Sequence, residues 1–120
     1  MATHNELGKK GEAESKLFLI NNGYDILETN WHCGNYEIDI IALKKDVLAI
    51  CEVKSRTSAY FGEPETFVTK QKQRNLIKAA SIYADRNNWQ GEIRFDIISV
   101  LFSADKHQIN HIEDAFGCSW

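Results

Sequence analysis

Two acidic residues and a lysine occupy predicted strand positions that simple core packing does not require. Asp39 lies in the apolar segment Tyr36–Leu43, and Glu52 and Lys54 lie at the end of a second apolar segment, Val47–Lys54. Because successive side chains of a strand point to opposite faces, Glu52 and Lys54 share one face. A buried carboxylate destabilises the fold unless a cation or hydrogen bonds meet it. These positions therefore predict a site rather than core.

The strand around Asp39 is predicted to become apolar on both faces after this residue, which is typical of a strand covered on both sides. The alternation places Glu37, Asp39 and Ile41 on one face and Ile38, Ile40 and Ala42 on the other. Glu37 shares the predicted face of Asp39. Glu37 is either a third ligand, beside Asp39 and Glu52, of the divalent metal ion considered next, or an outward-facing charge at the strand end.

The chemistry that fits Asp39, Glu52 and Lys54 is phosphodiester hydrolysis. Two carboxylates on neighbouring strands repel each other and raise each other's pKa, and a divalent metal ion removes that conflict. Oxygen ligands with few histidines favour Mg²⁺, or Mn²⁺ in its place, over zinc. Lys54 could reach a phosphate oxygen or the attacking water, which completes the set of groups. The alternative is a salt bridge between Glu52 and Lys54 at an exposed strand end, with Asp39 close by.

The elements that must position these residues follow the order αβββαββ. We predict one α/β domain over residues 1–120, with a mixed β-sheet flanked by helices. The predicted helices cover residues 5–22 and 69–88, the predicted strands cover 24–31, 36–43, 47–54, 93–102 and a short, weak 108–112, and a loop covers 55–66. Short turns join the first three strands, so these are expected to be antiparallel neighbours.

Both predicted helices carry two different stripes. In the first helix an apolar stripe of Ala13, Leu17 and Ile20 runs beside a stripe of small residues that includes Glu12 and allows close approach to a sheet. In the second helix Leu76, Ala79, Ala80 and Tyr83 are spaced for one buried face, whereas Lys70, Arg74 and Lys78 follow the other face. The cationic stripe is either a phosphate-binding surface or an ordinary solvated helix face.

Composition and charge limit the function classes. With 43% hydrophobic and 26% charged residues, the chain is neither disordered nor fibrous, and it lacks a run long enough to span a bilayer. Three cysteines without a CxxC pair and a polar N-terminus predict a cytoplasmic protein with reduced thiols. The net charge is −3, yet residues 54–86 hold seven Lys/Arg against three Asp/Glu. This asymmetry is compatible with a nucleic-acid partner.

Two further sets of residues favour structural roles. His107 and His111 have a zinc-like spacing only on a helix, whereas their apolar neighbours indicate a strand. Asp96 lies in a strongly apolar strand beside Arg94. We predict that it pairs with a basic group rather than with a metal.

Several segments together resemble the YraN-like family of small bacterial proteins, within the PD-(D/E)xK nuclease superfamily of restriction-endonuclease-like fold. The resemblance covers most of the chain, from residue 8 to about 116. The segments are Gly8–Glu12, Gly23–Leu27 with Asn30–Trp31, Glu37–Ala42, Glu52–Arg56, Arg94–Asp96 and His111–Ile112. The nearest functional analogy is the archaeal-type Holliday junction resolvases.

The resemblance implies Mg²⁺-dependent cleavage of DNA. Asp39 and Glu52 would hold the metal, and Lys54 would orient or activate the water. Glu12 would act from the first helix as an outer-shell or additional ligand. Arg56 and Lys72 fall at basic positions similar to those of the family and are candidate phosphate contacts; the remaining candidates are Lys70, Arg74 and Lys78. The resolvase analogy also suggests a homodimer.

Two departures from the family pattern concern the residues before Asp39. Ile38 replaces the proline of the superfamily name, and Tyr36 stands where the family usually has glycine. Since the acid pair and the lysine are all present, neither change predicts loss of metal binding, although Tyr36 could crowd the site. Three hypotheses follow: an active nuclease acting on DNA such as branched or damaged structures, a non-catalytic nucleic-acid-binding or accessory protein that retains the fold, and a protein-interaction domain.

Overall fold

A computed structural model describes residues 4–57 and 68–117, which form two helices and five strands in the predicted order. The helices are α1 (His4–Asn21) and α2 (Lys70–Arg86); the strands are β1 (Asp25–Cys33), β2 (Tyr36–Lys44), β3 (Val47–Arg56), β4 (Glu92–Ser103) and β5 (Lys106–Phe116). The predicted α/β class is confirmed. Neither of the two helices in these ranges is long and apolar enough to cross a membrane.

The five strands form one mixed sheet in the order β1-β2-β3-β4-β5. Neighbouring strands are antiparallel except β3 and β4, which are parallel. A parallel pair requires a long crossover connection, and α2 lies in that connection. The predicted mixed sheet is confirmed, and β3 takes the central position.

Each helix covers one face of the sheet. On the α2 face the cluster of buried residues includes Leu76, Tyr83, Ile50 and Phe95. On the α1 face Leu19 packs with a cluster of small and branched side chains from the strands, namely Ile40, Ala42, Ala49, Cys51, Ile98 and Val100. Central strands are therefore buried on both sides, as their apolar runs predict.

The second helix forms as its sequence indicates. Thr69 caps its N-terminus by accepting a hydrogen bond from the backbone N–H of Lys72 at 3.1 Å. The predicted buried face, Leu76, Ala79, Ala80 and Tyr83, is confirmed. Lys70, Arg74 and Lys78 lie exposed on the opposite side.

The first helix does not pack on the sheet through its most apolar stripe. Leu17 and Ile20 are 55% and 47% exposed, whereas Ser15 and Leu19 are fully buried. Gly11 explains this orientation, since a β-carbon there would overlap the hydroxyl of Ser55. The close approach predicted for the small-residue stripe is thus correct, and the apolar stripe remains on the surface.

Most element bounds differ from the prediction by one or two residues, and β5 differs by more. β3 continues to Arg56, two residues beyond its predicted end, because it stays paired with β4 up to the Arg56–Leu101 position. β5 is not short: pairing with β4 extends it to 11 residues, although many of its side chains are polar. Of the predicted loop 55–66, residues 58–66 lie outside the described ranges.

Candidate metal and nucleic-acid site

The candidate site lies where β2 separates from β3. Pairing between these two strands ends at Ile40 and Cys51, whereas β3 remains paired with β4 beyond this point. In the resulting fork, Oδ2 of Asp39 accepts a hydrogen bond of 2.8 Å from the backbone N–H of Val53. The carboxylate takes the place of a ladder carbonyl, and this fixes Asp39 beside Glu52.

The predicted alternation of faces in β2 is wrong on one side of Asp39. Ile38 packs with Ile41 in the α2 cluster, whereas Ile40 packs in the α1 cluster. The alternation is therefore interrupted between Ile38 and Ile40. The physical reason is the same fork, where Asp39 turns toward Val53 instead of following a regular ladder with β3.

Glu52 is a buried carboxylate with an uneven set of partners. Its side chain is only 4% exposed. Oε2 lies 3.4 Å from Nζ of Lys54 and 3.6 Å from Nζ of Lys72, which comes from α2. Oε1 is buried and accepts no hydrogen bond from a nitrogen or hydroxyl donor of residues 4–57 and 68–117. The predicted ion pair between Glu52 and Lys54 exists, but Glu52 is not at an exposed strand end.

The two carboxyl groups cannot both ionise easily. Burial, the negative charge of Glu52 and a hydrogen bond between the two carboxyl groups raise the pKa of Asp39 to about 8, although the Val53 N–H acts in the opposite direction. At neutral pH without metal, Asp39 therefore carries a proton that a cation would displace. This is the repulsion predicted from the sequence for two acids that share a site.

Glu12 approaches the pair from α1. Burial and the negative charge of Glu37 raise the pKa of Glu12, with a smaller contribution of the same sign from Glu52 and an opposing hydrogen bond from Asn30. Glu12 Oε1 is buried and has no hydrogen-bond partner in the described part of the chain. The structure thus brings the α1 carboxylate into the electrostatic range of Glu52.

The residues present fit a magnesium ion, which keeps several non-protein ligands, better than a metal ion that takes all of its ligands from the protein. Within the described ranges no three His, Cys, Asp or Glu side chains converge as a ligand set. Mg²⁺ does not need such a set, since one or two carboxylates, waters and substrate phosphates commonly complete its octahedron. The Glu52 oxygen without a nitrogen or hydroxyl donor in the described ranges and the raised pKa of Asp39 both fit a cation held between the two carboxylates.

The predicted cationic residues divide into two groups. Lys54 and Lys72 lie at the carboxylates, with side chains 33% and 40% exposed. Lys70, Arg74 and Lys78 follow the outer face of α2. Arg56 is the last residue of β3 and has the same strand parity as Glu52 and Lys54. The structure therefore places two lysines in the site and provides a separate cationic face beside it.

Glu37 and the two histidines lie elsewhere. Glu37 forms an ion pair of 3.2 Å with His32 at an exposed position, which favours its interpretation as a strand-end charge. His107 pairs with Glu14 at 3.0 Å, and His111 pairs with Asp96 at 2.8 Å. The two histidines lie on a strand and have different partners, as predicted.

Asp96 is the centre of a second buried cluster on the α1 face. Arg94 donates from Nε to Oδ1 and from Nη2 to Oδ2, both at 2.8 Å, which confirms the predicted basic partner. His111 Nε2 at 2.8 Å and the backbone N–H of Asp114 at 3.1 Å complete the cluster. Burial alone would raise the pKa of Asp96, yet these donors together lower it. The cluster is internally satisfied.

Sequence reasoning missed two contacts that shape the site. The Val53 N–H that fixes Asp39 is a backbone group, and Asn30, which bonds Glu12, has a positive φ of 51° on β1. A backbone donor leaves no trace in a side-chain pattern. Asn30 offers a weak signal, since asparagine tolerates the left-handed region.

Comparison with known sequences gives a family but no activity. The model of the uncharacterised protein family UPF0102 matches residues 11–100. A UPF0102 protein of Flavobacterium psychrophilum is 51% identical over 116 residues, covering 97% of this chain and 98% of that protein. UPF0102 proteins of Parabacteroides distasonis and Phocaeicola vulgatus are 41% and 43% identical over 116 residues, each covering 97% of this chain and 96% of the relative. The chain therefore belongs to the UPF0102 family, the YraN-like family that its motifs resemble.

Proposed function

We propose that this protein is a Mg²⁺-dependent DNA endonuclease of the PD-(D/E)xK type, for which Mn²⁺ can substitute. The observation that carries the proposal is the half-buried Asp39 beside the buried Glu52, which has two lysines at one oxygen and no nitrogen or hydroxyl donor at the other in the described structure. A purely structural pair would be expected to satisfy its oxygens. Asp39, Glu52 and Lys54 also match the superfamily pattern in order and in strand position.

Each residue has a distinct role in the proposed reaction. Asp39 and Glu52 would hold the metal, which when bound lowers the pKa of its water and neutralises charge on the phosphate. Lys54, whose ammonium group is partly exposed, would orient the attacking water or stabilise the charge that develops on the phosphate. Glu12 would accept hydrogen bonds from the outer shell of waters, through the oxygen that lacks a partner in the described ranges.

The cationic groups support DNA as the substrate. Lys70, Arg74 and Lys78 repeat at helical spacing on the exposed side of α2, and Arg56 extends the line of charges on β3. Such a face would bind phosphates without reading sequence, so binding should weaken steeply as salt rises. Branched or damaged DNA is the substrate class that the resolvase analogy favours.

A homodimer in the cytoplasm completes the proposal. Among residues 4–57 and 68–117, the exposed large hydrophobic residues are Leu17, Ile20 and Leu27, from α1 and the neighbouring edge strand β1. Light scattering on the purified protein measures the mass directly. We expect twice 13.7 kDa for the wild type and a shift toward the monomer for a Leu17→Lys variant.

The proposal is tested by cleavage of DNA. Supercoiled plasmid and a synthetic four-way junction are incubated with Mg²⁺ and with the wild type, Asp39→Asn or Glu52→Gln. We expect each variant to lose about a thousandfold or more in rate, since removal of a metal ligand removes the charge stabilisation. Asp105→Asn, an exposed turn residue, is the matched control and should cleave normally. Full activity of either site variant would exclude this site.

A non-catalytic nucleic-acid-binding protein is the second candidate. It is favoured by the separation of Lys70, Arg74 and Lys78 from the carboxylates, because this face does not depend on the metal site. This candidate predicts salt-dependent DNA binding that needs no metal and survives Glu52→Gln. If Glu52→Gln loses cleavage but binds DNA as tightly as the wild type, the nuclease is the candidate that agrees with the result.

A further inference from the structure

Lys72 occupies a position that helix physics disfavours. It is the third residue of α2, and the first turn of this helix contains no acidic residue. The N-terminus of a helix carries a partial positive charge, so anionic side chains are stabilising there and cations are not. A nearby anion offsets this unfavourable position, and for Lys72 that anion is Glu52, 3.6 Å from its ammonium group.

Two ammonium groups meet one carboxylate oxygen. Lys54 and Lys72 both lie within 3.6 Å of Glu52 Oε2, while Oε1 has no nitrogen or hydroxyl donor in the described ranges. One buried carboxylate does not require two cations. Lys54 belongs to the same strand as Glu52, whereas Lys72 comes from another element and has a side chain that is 40% exposed. Lys72 is therefore the cation that can leave without disturbing β3.

We propose that Lys72 is a built-in counter-cation: it occupies Glu52 while the site is metal-free and moves to a phosphate of the nucleic acid when a divalent cation takes its place. The inference rests on the proposed function for the metal and the substrate. A divalent cation at Oε1 would compete with the Lys72 ammonium at Oε2 for the charge of one carboxylate, because two cations close together repel each other. Once displaced, the ammonium remains at the positive end of α2, where a phosphate is the favoured partner.

The first test is metal binding without nucleic acid, because competition predicts that metal affinity rises when Lys72 is removed. Mg²⁺ and Mn²⁺ are titrated calorimetrically into the wild type, Lys72→Met and Lys78→Met. Lys72→Met should bind metal about three- to tenfold more tightly, since a competing charge on a partly buried pair is removed. Lys78→Met, on the same helix but outside the site, should stay within about twofold of the wild type.

The second test separates this role from a general phosphate contact. Binding is measured by fluorescence anisotropy with a short labelled DNA that the wild type does not cut under the assay conditions. With Mg²⁺, Lys72→Met should bind the DNA several-fold more weakly; without metal it should match the wild type, because Glu52 then holds Lys72. Lys78→Met should weaken binding equally in both conditions. Lys72→Arg should retain most of the metal-dependent binding.

The outcomes distinguish the two proposals. Metal affinity in Lys72→Met that equals or falls below that of the wild type would overturn the counter-cation role and leave the nuclease proposal intact. An equal loss of DNA affinity with and without metal would also overturn it. If the wild type itself binds no metal in either experiment, both proposals fail. Thermal unfolding of each variant confirms that the compared proteins are folded.

Discussion

Asp96 and Glu52 are both almost completely buried, at 0% and 4% exposure, and their surroundings are opposite. Both oxygens of Asp96 accept hydrogen bonds, from a bidentate Arg94, from His111 and from a backbone N–H. Glu52 has two lysines on one oxygen and no nitrogen or hydroxyl donor for the other in the described residues. The donors of Asp96 are thus built into the fold, whereas Glu52 departs from the usual satisfaction of buried polar groups.

The pKa values show the same difference. The donors around Asp96 lower its pKa despite burial, so folding favours its charged form. Burial and Glu52 raise the pKa of Asp39 to about 8, so folding without metal opposes its charged form. We infer that the Asp96 cluster stabilises the protein, while the Asp39–Glu52 pair destabilises it until a cation binds. The predictions below test this contrast.

The largest expected effect is on stability at Asp96. Asp96→Asn removes the buried carboxylate from Arg94, whose side chain is 14% exposed and keeps its pair with the exposed Glu113. Breaking one partner of a buried pair costs about 3–5 kcal/mol. Urea unfolding at pH 7 measures the free energy of unfolding, and Asp105→Asn should change it by less than about 0.5 kcal/mol. A loss below about 1 kcal/mol for Asp96→Asn would remove the contrast with the site.

Substitution of Asp39 should have the opposite effect in metal-free protein and raise the free energy of unfolding. A carboxyl whose pKa rises on folding gives its full contribution to stability below the unfolded value, 3.8, and loses it as the pH rises through about 8. Asp39→Asn cannot ionise and should gain about 1–2 kcal/mol over the wild type at pH 8.5. The gain should shrink toward zero at pH 3.5. Urea unfolding in EDTA at both pH values checks this, and a destabilised variant at pH 8.5 would contradict it.

Asp96 should show the reverse pH dependence. Its pKa is lower in the folded protein, so its contribution to stability is present above the unfolded value and is lost as the pH falls below it. Acid unfolding is measured on Asp39→Asn, because this variant lacks the carboxyl group whose pKa is raised. The pH dependence due to Asp96 is then observed without that of Asp39. We expect a steep loss of stability below about pH 4. Stability that stays constant down to pH 2 would contradict it.

A smaller effect concerns metal affinity. Since a cation displaces the proton of Asp39, binding of Mg²⁺ should strengthen as the pH rises from 6 to 8. The gain in Mg²⁺ affinity is at most about tenfold per pH unit, or about 1.4 kcal/mol of binding free energy. Calorimetry in two buffers of different ionisation enthalpy also counts the protons released. Affinity that is independent of pH would show that Asp39 does not exchange its proton for the metal.

Local patterns predict much of this fold because they reflect backbone geometry and burial. The apolar runs of the central strands and the spacing of Leu76, Ala79 and Tyr83 determine their elements almost alone. The length of β5 could not be predicted, since its polar residues become a strand only by pairing with β4. The orientation of α1 depends on Gly11, whose importance is a tertiary contact with Ser55.

The candidate site was predictable in its residue types but not in its geometry. Asp39, Glu52 and Lys54 are conspicuous because charges interrupt apolar strands. The interruption of the β2 alternation at Asp39 was not predictable, because it arises where β2 leaves β3 and Val53 supplies a backbone donor. The contact of Lys72 with Glu52 likewise requires the packing of α2 on the sheet.

The central claim is that Asp39 and Glu52 form a metal site, and a titration tests it most directly. Mg²⁺ and Mn²⁺ are titrated into the wild type and into an Asp39→Asn/Glu52→Gln double variant, with and without a short branched DNA. We predict binding to the wild type, strengthened by DNA, and none to the double variant. Metal binding of equal affinity in the folded double variant, or none in the wild type even with DNA, would contradict the account.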